Sequence, residues 1–196
     1  TQNGILTNFT YDKSGQVASA VSSDGTNESF LYDAAGNHID QGQVYGFDNR
    51  LISDAQFNYG HEGEGNVVFA IQRATCKRTI LHYDHRNRLV RIAKRDNSGT
   101  TLLSAEYIYD AFDRRIGQIV NGQATYHAYA GSNIWADYAA DGTIKARYLF
   151  GEKLDQILAR QRSAEGVAFY LTDRLGSIVD IADGNGSLNH IDYGMF

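Results

Sequence analysis

Apolar and polar residues alternate along short stretches of this 196-residue chain with the two-residue period of β-strands. In Leu102-Leu103-Ser104-Ala105-Glu106-Tyr107-Ile108-Tyr109, for example, Leu103, Ala105, Tyr107 and Tyr109 fall on one face. No segment carries a helical stripe. Turn signals separate the alternating stretches at Asp12, Asp24, Asp33, Asp84, Asp96, Asp110, Asn121 and Asp141, mostly nine to fourteen residues apart outside an irregular stretch from 40 to 80. This spacing predicts an all-β fold, an up-and-down antiparallel meander of roughly a dozen or more short strands.

Two kinds of turn are written into the chain. The first is an aromatic-Asp doublet followed by a residue that tolerates positive φ: Tyr11-Asp12 with Gly15, Tyr32-Asp33 with Gly36, Tyr83-Asp84 with Asn87, and Tyr109-Asp110 with Asp113. An Asp bonds its own backbone two residues on, and a left-handed residue one step further closes a three-residue hairpin loop. The Tyr is then the last strand residue and packs its ring on the sheet. Asp173 with Gly176 and Asp183 with Gly186 repeat the spacing and flank a short strand, Ser177 to Ile181. The second kind comprises Asp24-Gly25, Asn121-Gly122 and Asp141-Gly142, the dipeptides of two-residue hairpins. Phe47-Asp48-Asn49-Arg50-Leu51 reads as a doublet whose loop has lost residues, and Tyr59-Gly60 as one whose Asp is Gly, with a longer loop.

Composition agrees. The chain has no proline, where average usage gives about ten for this length. Proline removes a ladder donor, so an almost fully paired chain has few places for it. Thirteen Tyr and nine Phe suit half-buried pleated surfaces, and twenty Gly serve the turns. With no linker-like run, one continuous array is the reading. The single cysteine, Cys76, excludes an internal disulfide and leaves the compartment open. Net charge is −5, and the ten Lys and Arg between Arg73 and Arg115 are interleaved with Asp84, Asp96, Glu106, Asp110 and Asp113, which argues against nucleic acid. No apolar run reaches the roughly twenty residues of a membrane span, and no signal-peptide pattern opens the chain. Because residue 1 is Thr, that says nothing of a parent chain.

Candidate chemistry gives way to simpler readings. His82, Asp84 and His85 suggest metal ligands, but 82 and 84 share a strand face that 85 leaves. Asp183, Asn185 and Ser187 begin like a calcium loop, yet Leu188 stands where its Gly belongs and Gly194 where its Glu belongs. Gly60, Gly63 and Gly65 resemble a phosphate cradle that Glu62 and Glu64 would repel. Cys76 with His82 or His85 makes a weak thiol-imidazole candidate, and Ser177 lacks a nucleophile elbow. Asp173, Asp180, Asp183 and Asp192 could supply a carboxylate dyad, but turn placement explains them. No cofactor, no metal and no enzymatic activity are expected.

The doublets resemble the YD repeats of the RHS family, found in bacterial polymorphic toxins, insecticidal toxin complex shells and teneurins. The run from Tyr126 to Arg160, with Asp137-Tyr138-Ala139-Ala140-Asp141-Gly142-Thr143 and Arg147-Tyr148-Leu149-Phe150-Gly151, resembles the approach to the RHS-associated core. Tyr170-Leu171-Thr172-Asp173-Arg174-Leu175-Gly176-Ser177, continuing to Asp192-Tyr193, is similar to that core. The resemblance implies a YD-repeat array over 1–125, continuous with a core segment over 126–196, in a sheet that spirals into a hollow shell. It further implies a structural segment that encloses a C-terminal toxin or effector, within a larger parent chain, secreted or at the cell surface. The family's Asp-Pro self-cleavage motif is absent, since the chain has no proline. A second reading is a cell-surface module binding a glycan or serving adhesion. Open sheet edges and an inner face without cover also predict self-association.

Overall fold

The computed structural model describes residues 6–153, 155–191 and 193. The chain divides into two compact units, Thr1–Leu102 and Leu103–Phe196. In the first, β1 (Thr7–Tyr11), β2 (Val17–Ser22) and β3 (Asn27–Ser29) form a three-stranded antiparallel sheet in chain order. Next come β4 (Val44–Tyr45), β5 (Leu51–Ser53), β6 (Phe57–His61), β7 (Val67–Gln72), β8 (Arg78–Tyr83) and β9 (Leu89–Arg95), each paired antiparallel with its successor. Residues 40 to 80, irregular by sequence, are therefore laid down as ordinary hairpins.

The second unit repeats the pattern. Its strands are β10 (Thr101–Tyr109), β11 (Arg115–Val120), β12 (Gln123–Ala130), β13 (Asn133–Ala139), β14 (Ile144–Phe150), β15 (Ile157–Arg162), β16 (Gly166–Thr172), β17 (Ile178–Asp183) and β18 (Leu188–His190). Each pairs antiparallel with the next. Among the described residues the only helical element is a 3-10 turn at Phe47–Asn49. The chain is thus an all-β antiparallel meander, as the alternation and turn spacing predict.

The core is unusual in kind. Its buried apolar residues are Ala20, Ala93, Ala105, Ala136, Ala146 and Ala159, and among the described residues no larger side chain is fully enclosed. Each alanine sits within a strand, and most lie beside longer cross-strand neighbours: Ala20 lies opposite Phe9 and Glu28, and Ala159 between Leu149 and Phe169. Those neighbours remain open, Leu149 at 59% and Phe169 at 48% exposure, so nothing among the described residues covers them fully. Glycine plays a related part at two places. Gly60 is directly opposite Phe69 and Gly117 opposite Tyr126, and a Cβ would stand 2.1 Å from the Phe69 ring or 3.0 Å from the Tyr126 ring. The ring fills the space the missing side chain leaves.

Because consecutive strands are antiparallel, successive turns fall on alternate edges of a sheet. In the first unit the turns 46–50, 62–66 and 84–88 share one edge, with 54–56 and 73–77 on the other. In the second, 110–114, 131–132, 151–156 and 173–177 share one edge, and 121–122, 139–143, 163–165 and 183–187 the other.

Candidate functional site

Seven aspartates build one turn. The Asp12 Oδ1 accepts the N–H of Ser14 at 2.8 Å and of Gln16 at 2.9 Å. Asp33, Asp84, Asp96, Asp110, Asp173 and Asp183 each accept the amides two and four residues on, at 2.8–3.1 Å. The backbone closes the loop: Asp12 N–H donates to Gln16 O at 2.8 Å, and Gly15 N–H to Asp12 O at 3.2 Å. The third residue past each Asp is left-handed, with φ of 80° at Gly15, 87° at Gly36, 58° at Asn87, 92° at Gly99, 65° at Asp113, 95° at Gly176 and 83° at Gly186. One carboxylate oxygen thereby satisfies two amides that a tight turn cannot pair across the sheet.

Neighbouring turns are tied together by the residue just past the left-handed one. Its side chain takes the second carboxylate oxygen: Arg88 Nη2 donates to Asp84 Oδ2 at 2.7 Å, Arg114 Nε to Asp110 Oδ2 at 2.7 Å, and Asn37 Nδ2 to Asp33 Oδ2 at 3.0 Å. The same position reaches the following turn. Gln16 Nε2 donates to Gly36 O at 3.5 Å, Asn37 Nδ2 to Asn49 Oδ1 at 3.3 Å, Arg50 Nη1 to Glu62 O at 3.1 Å, Asn66 Nδ2 to Asn87 Oδ1 at 2.9 Å, and Arg114 Nη1 to Gly131 O at 3.2 Å. Tyrosines reach back in the opposite sense. The hydroxyls of Tyr32, Tyr129 and Tyr193 donate to the carbonyls of Val17, Arg115 and Ile178, each the fifth residue past Asp12, Asp110 or Asp173. Sequence reasoning missed this ladder, although the recurrence of Gln, Asn and Arg at one position is its signal.

The Arg88 guanidinium holds the Asp84 carboxyl at about 2, against an ordinary value of 3.8. Hydrogen bonds from the side chains of Asn37 and Ser98 likewise lower Asp33 and Asp96. At Asp110 partial desolvation acts upward and is outweighed by Arg114. A carboxyl depressed on folding contributes stability above its unfolded value of about 4, and that contribution is lost as pH falls toward the folded value. For Asp84 the window runs from about 4 down to about 2. A carbon-detected NMR titration should place Asp84 near 2, with Arg88→Ala returning it toward 3.8. An unshifted Asp84 in the parent chain would contradict the pairing.

A second network crosses three strands of the second unit. His127 and Asp137 are directly opposed on β12 and β13, with His127 Nδ1 2.7 Å from Asp137 Oδ1. From β14, Tyr148 OH donates to Asp137 Oδ2 at 2.7 Å. The His127 side chain is only 6% exposed, and its Nε2 is buried without a hydrogen-bond partner. Burial and then Asp137 push the Tyr148 phenol up to about 12. For Asp137, desolvation acts upward but the bonds from His127 and Tyr148 prevail and lower it. The two hydrogen bonds of this network tie β12, β13 and β14 together across their paired register. It was hidden in the sequence because it depends on the pairing of strands.

Several sequence expectations are revised. The doublet position before Arg50 is Tyr45-Gly46, not Phe47-Asp48: Gly46 N–H donates to Arg50 O at 2.8 Å and Asn49 is left-handed at φ 55°, so no residues are lost. The next doublet position is His61-Glu62, with Glu62 N–H bonded to Asn66 O and Gly65 left-handed at φ 94°, so that loop is no longer than the others. Asp24-Gly25 and Asp141-Gly142 are not two-residue turns. Ser22 and Ala139 open three-residue loops there, and only Gly25 and Gly142 have positive φ. Asn121-Gly122 is a two-residue turn, with φ of 49° and 82°. Tyr11 ends β1 but is 63% exposed, because β1 is an edge strand with no neighbour for its ring; Tyr83 and Tyr109 end β8 and β10, and Tyr32 lies in an isolated bridge to His38.

The other candidate groups are separately engaged. Asp84 binds Arg88, the amides of Asn185 and Ser187 bind Asp183, and Asp180 binds His190 at 2.7 Å. The Arg50 guanidinium donates to the carbonyls of Glu62 and Gly63, so the Gly-rich loop is itself held. Cys76 is an exposed thiol at a turn. Among the described residues there is no group of three His, Cys, Asp or Glu placed to hold a metal, and no helix long and apolar enough to cross a membrane. Asp192 and Gly194 lie outside the described residues.

Over 117 residues, 57% of its length, the chain is 30% identical to double-stranded DNA deaminase toxin A of Burkholderia cenocepacia (strain H111), of which this covers 8%. Crystal structures of TcdB2-TccC3 are also similar. The form without the hypervariable C-terminal region matches at 14% identity and TM-score 0.42, over 88% of this chain and 10% of that one. TcdB2-TccC3 itself matches at 15% identity and TM-score 0.36, over 94% of this chain and 10% of that one. The chain thus spans about a tenth or less of the proteins it resembles. The model of the Teneurin YD-shell family matches residues 3–196, and on that match the chain belongs to the teneurin YD-shell family, with a structural role in a shell.

Proposed function

We propose that this chain is a length of wall in a shell that encloses a C-terminal toxin or effector carried by the same, longer polypeptide, and that it supplies no catalysis of its own. The single observation behind this reading is the thin core. A meander in which, among the described residues, the enclosed apolar side chains are alanines and large ones stay open suits a partition between two spaces. Further support comes from the turn aspartates and Asp137, whose carboxylates are engaged by turn amides or a cross-strand partner. In the same reading the repeat array of residues 1–125 runs into a core segment from 126 onward without a break. Strand β12, Gln123–Ala130, crosses that boundary, which favours continuity. The shell is secreted or displayed at the cell surface.

Limited proteolysis of the full polypeptide provides the test. The C-terminal part should survive protease in the intact protein and be digested once the wall is weakened by Asp137→Ala. Equal digestion of that part in both proteins would overturn the enclosure.

A further inference from the structure

Strands β7, β8 and β9 carry a charge pattern that the sheet itself does not use. Their registers place Ile71, Arg78 and Arg95 in one cross-strand row, Phe69, Ile80 and Ala93 in the next, and His82 opposite Arg91 beyond that. Residues two apart in a strand share a face, so all of these lie on one face, wholly within the first unit. Arg78, His82, Arg91 and Arg95 are exposed, and Phe69 keeps 40% of its surface open. Like charges placed directly opposite one another destabilise a sheet, and Arg78 opposite Arg95 is such a pair.

Several other arginines are held where they stand. Arg88 and Arg114 pair with Asp84 and Asp110, Arg160 and Arg162 with Glu165, and Arg50 donates to two carbonyls. Among the described residues the side chains of Arg78, Arg91 and Arg95 have no salt bridge or hydrogen bond of this kind. Strands β7, β8 and β9 contain no Asp or Glu. Asp84 and Asp96 follow β8 and β9 and are engaged by the amides of their own turns. The acids that interleave with basic residues along the sequence therefore leave this strand face cationic. Between its two cationic ends the face is hollowed, with Phe69, Ile71, Arg78, Ile80 and His82 lining a depression of about 510 Å³, room for an aliphatic side chain.

We propose that this face binds an extended acidic segment of a second polypeptide, in which two carboxylates four residues apart flank an apolar side chain. Backbone geometry sets the spacing. Extended chains rise about 3.3 Å per residue, so positions i, i+2 and i+4 of the ligand fall in step with Arg78, Ile80 and His82, about 13 Å from end to end. The first carboxylate sits between the Arg78 and Arg95 guanidiniums and turns their repulsion into a two-sided, charge-assisted grip. The apolar side chain enters the depression over Phe69 and Ile80, and the second carboxylate meets Arg91 and His82. Nucleic acid fits less well. A phosphate backbone is charged at every residue and runs past the patch onto Asp84 at one end and Asp96 at the other, whereas a segment with two spaced charges stops short of both. The net charge of −5 acts in the same direction.

Fluorescence anisotropy of the 196-residue chain with a labelled peptide, Ser-Glu-Thr-Val-Thr-Glu-Ser, reads this directly. Binding is expected with a Kd on the order of 100 μM at low salt, weakening as salt rises. Exchanging both peptide glutamates for glutamine, or its valine for serine, should weaken it. On the protein side, Arg78→Gln with Arg95→Gln should weaken binding by about tenfold or more. The same double variant should melt at or above the temperature of the parent, because it relieves an opposed like-charge pair. A lower melting temperature would show that the arginines hold the sheet and not a ligand. No binding at about 1 mM peptide, binding indifferent to the two arginines, or tighter binding of a single-stranded oligonucleotide of equal length would overturn the site. Each of these results leaves the enclosure reading in place.

Discussion

Replacing Asp137 by Ala is expected to lower the unfolding free energy by about 2–4 kcal/mol, because it strands two partly buried donors rather than one. His127 Nδ1 and Tyr148 OH both lie 2.7 Å from this carboxylate, and the imidazole is almost wholly enclosed with Nε2 already unpartnered. Removing the acceptor leaves each group the cost of burial without its bond. Denaturant unfolding of Asp137→Ala measures the loss, and Tyr148→Phe in a double-mutant cycle separates the phenol's share. In Tyr148→Phe the phenol titrating near 12 should disappear. An Asp137→Ala protein as stable as its parent would show that β12, β13 and β14 hold register without this network.

Ala136→Leu is the second large effect. Ala136 has no exposure at all and lies between Ala128 and Arg147 in its cross-strand row. A leucine there has no empty volume to enter and must push its neighbours off their rotamers, at a cost of about 1–3 kcal/mol. The control is Ala130→Leu, exposed at the end of β12, which should stay within about 0.5 kcal/mol of the parent. Thermal or chemical unfolding of the pair distinguishes a packed site at Ala136 from a loose sheet surface. Equal behaviour of the two variants would mean that the site is not close-packed.

What could be read from sequence was local. The alternation of Leu102–Tyr109 carries β10, observed at Thr101–Tyr109. An Asp and a left-handed residue three positions on specify a turn because every bond they make lies within four residues. Departures arose where chemical identity and backbone position part company. Asp24 and Asp141 sit in the middle of loops opened by Ser22 and Ala139, bonding the amides of Thr26 and Thr143, so the dipeptide signal pointed to the wrong frame. In Tyr45-Gly46 and His61-Glu62 the doublet place is kept by backbone bonds although the residues have changed. Nothing in one strand announces His127–Asp137–Tyr148, whose members meet only after β12, β13 and β14 pair in register.

The thin alanine core also bears on function. In a two-layer protein the energetic weight lies between layers, and a surface residue such as Leu149 or Phe169 would be covered. Here stability comes from ladder bonds, cross-strand pairs and stapled turns spread along the sheet. Local damage should therefore open a wall segment without abolishing neighbouring hairpins, as in other quasi-linear arrays.

Electron cryomicroscopy of the full polypeptide that contains this chain is the most direct examination. The account predicts one layer of strand density over residues 6–191, a tight turn at each of the seven aspartates, and enclosed polypeptide on one side of the sheet. A second sheet or helical layer packed over Leu149 and Phe169, or an empty interior with the C-terminal part outside, would contradict it.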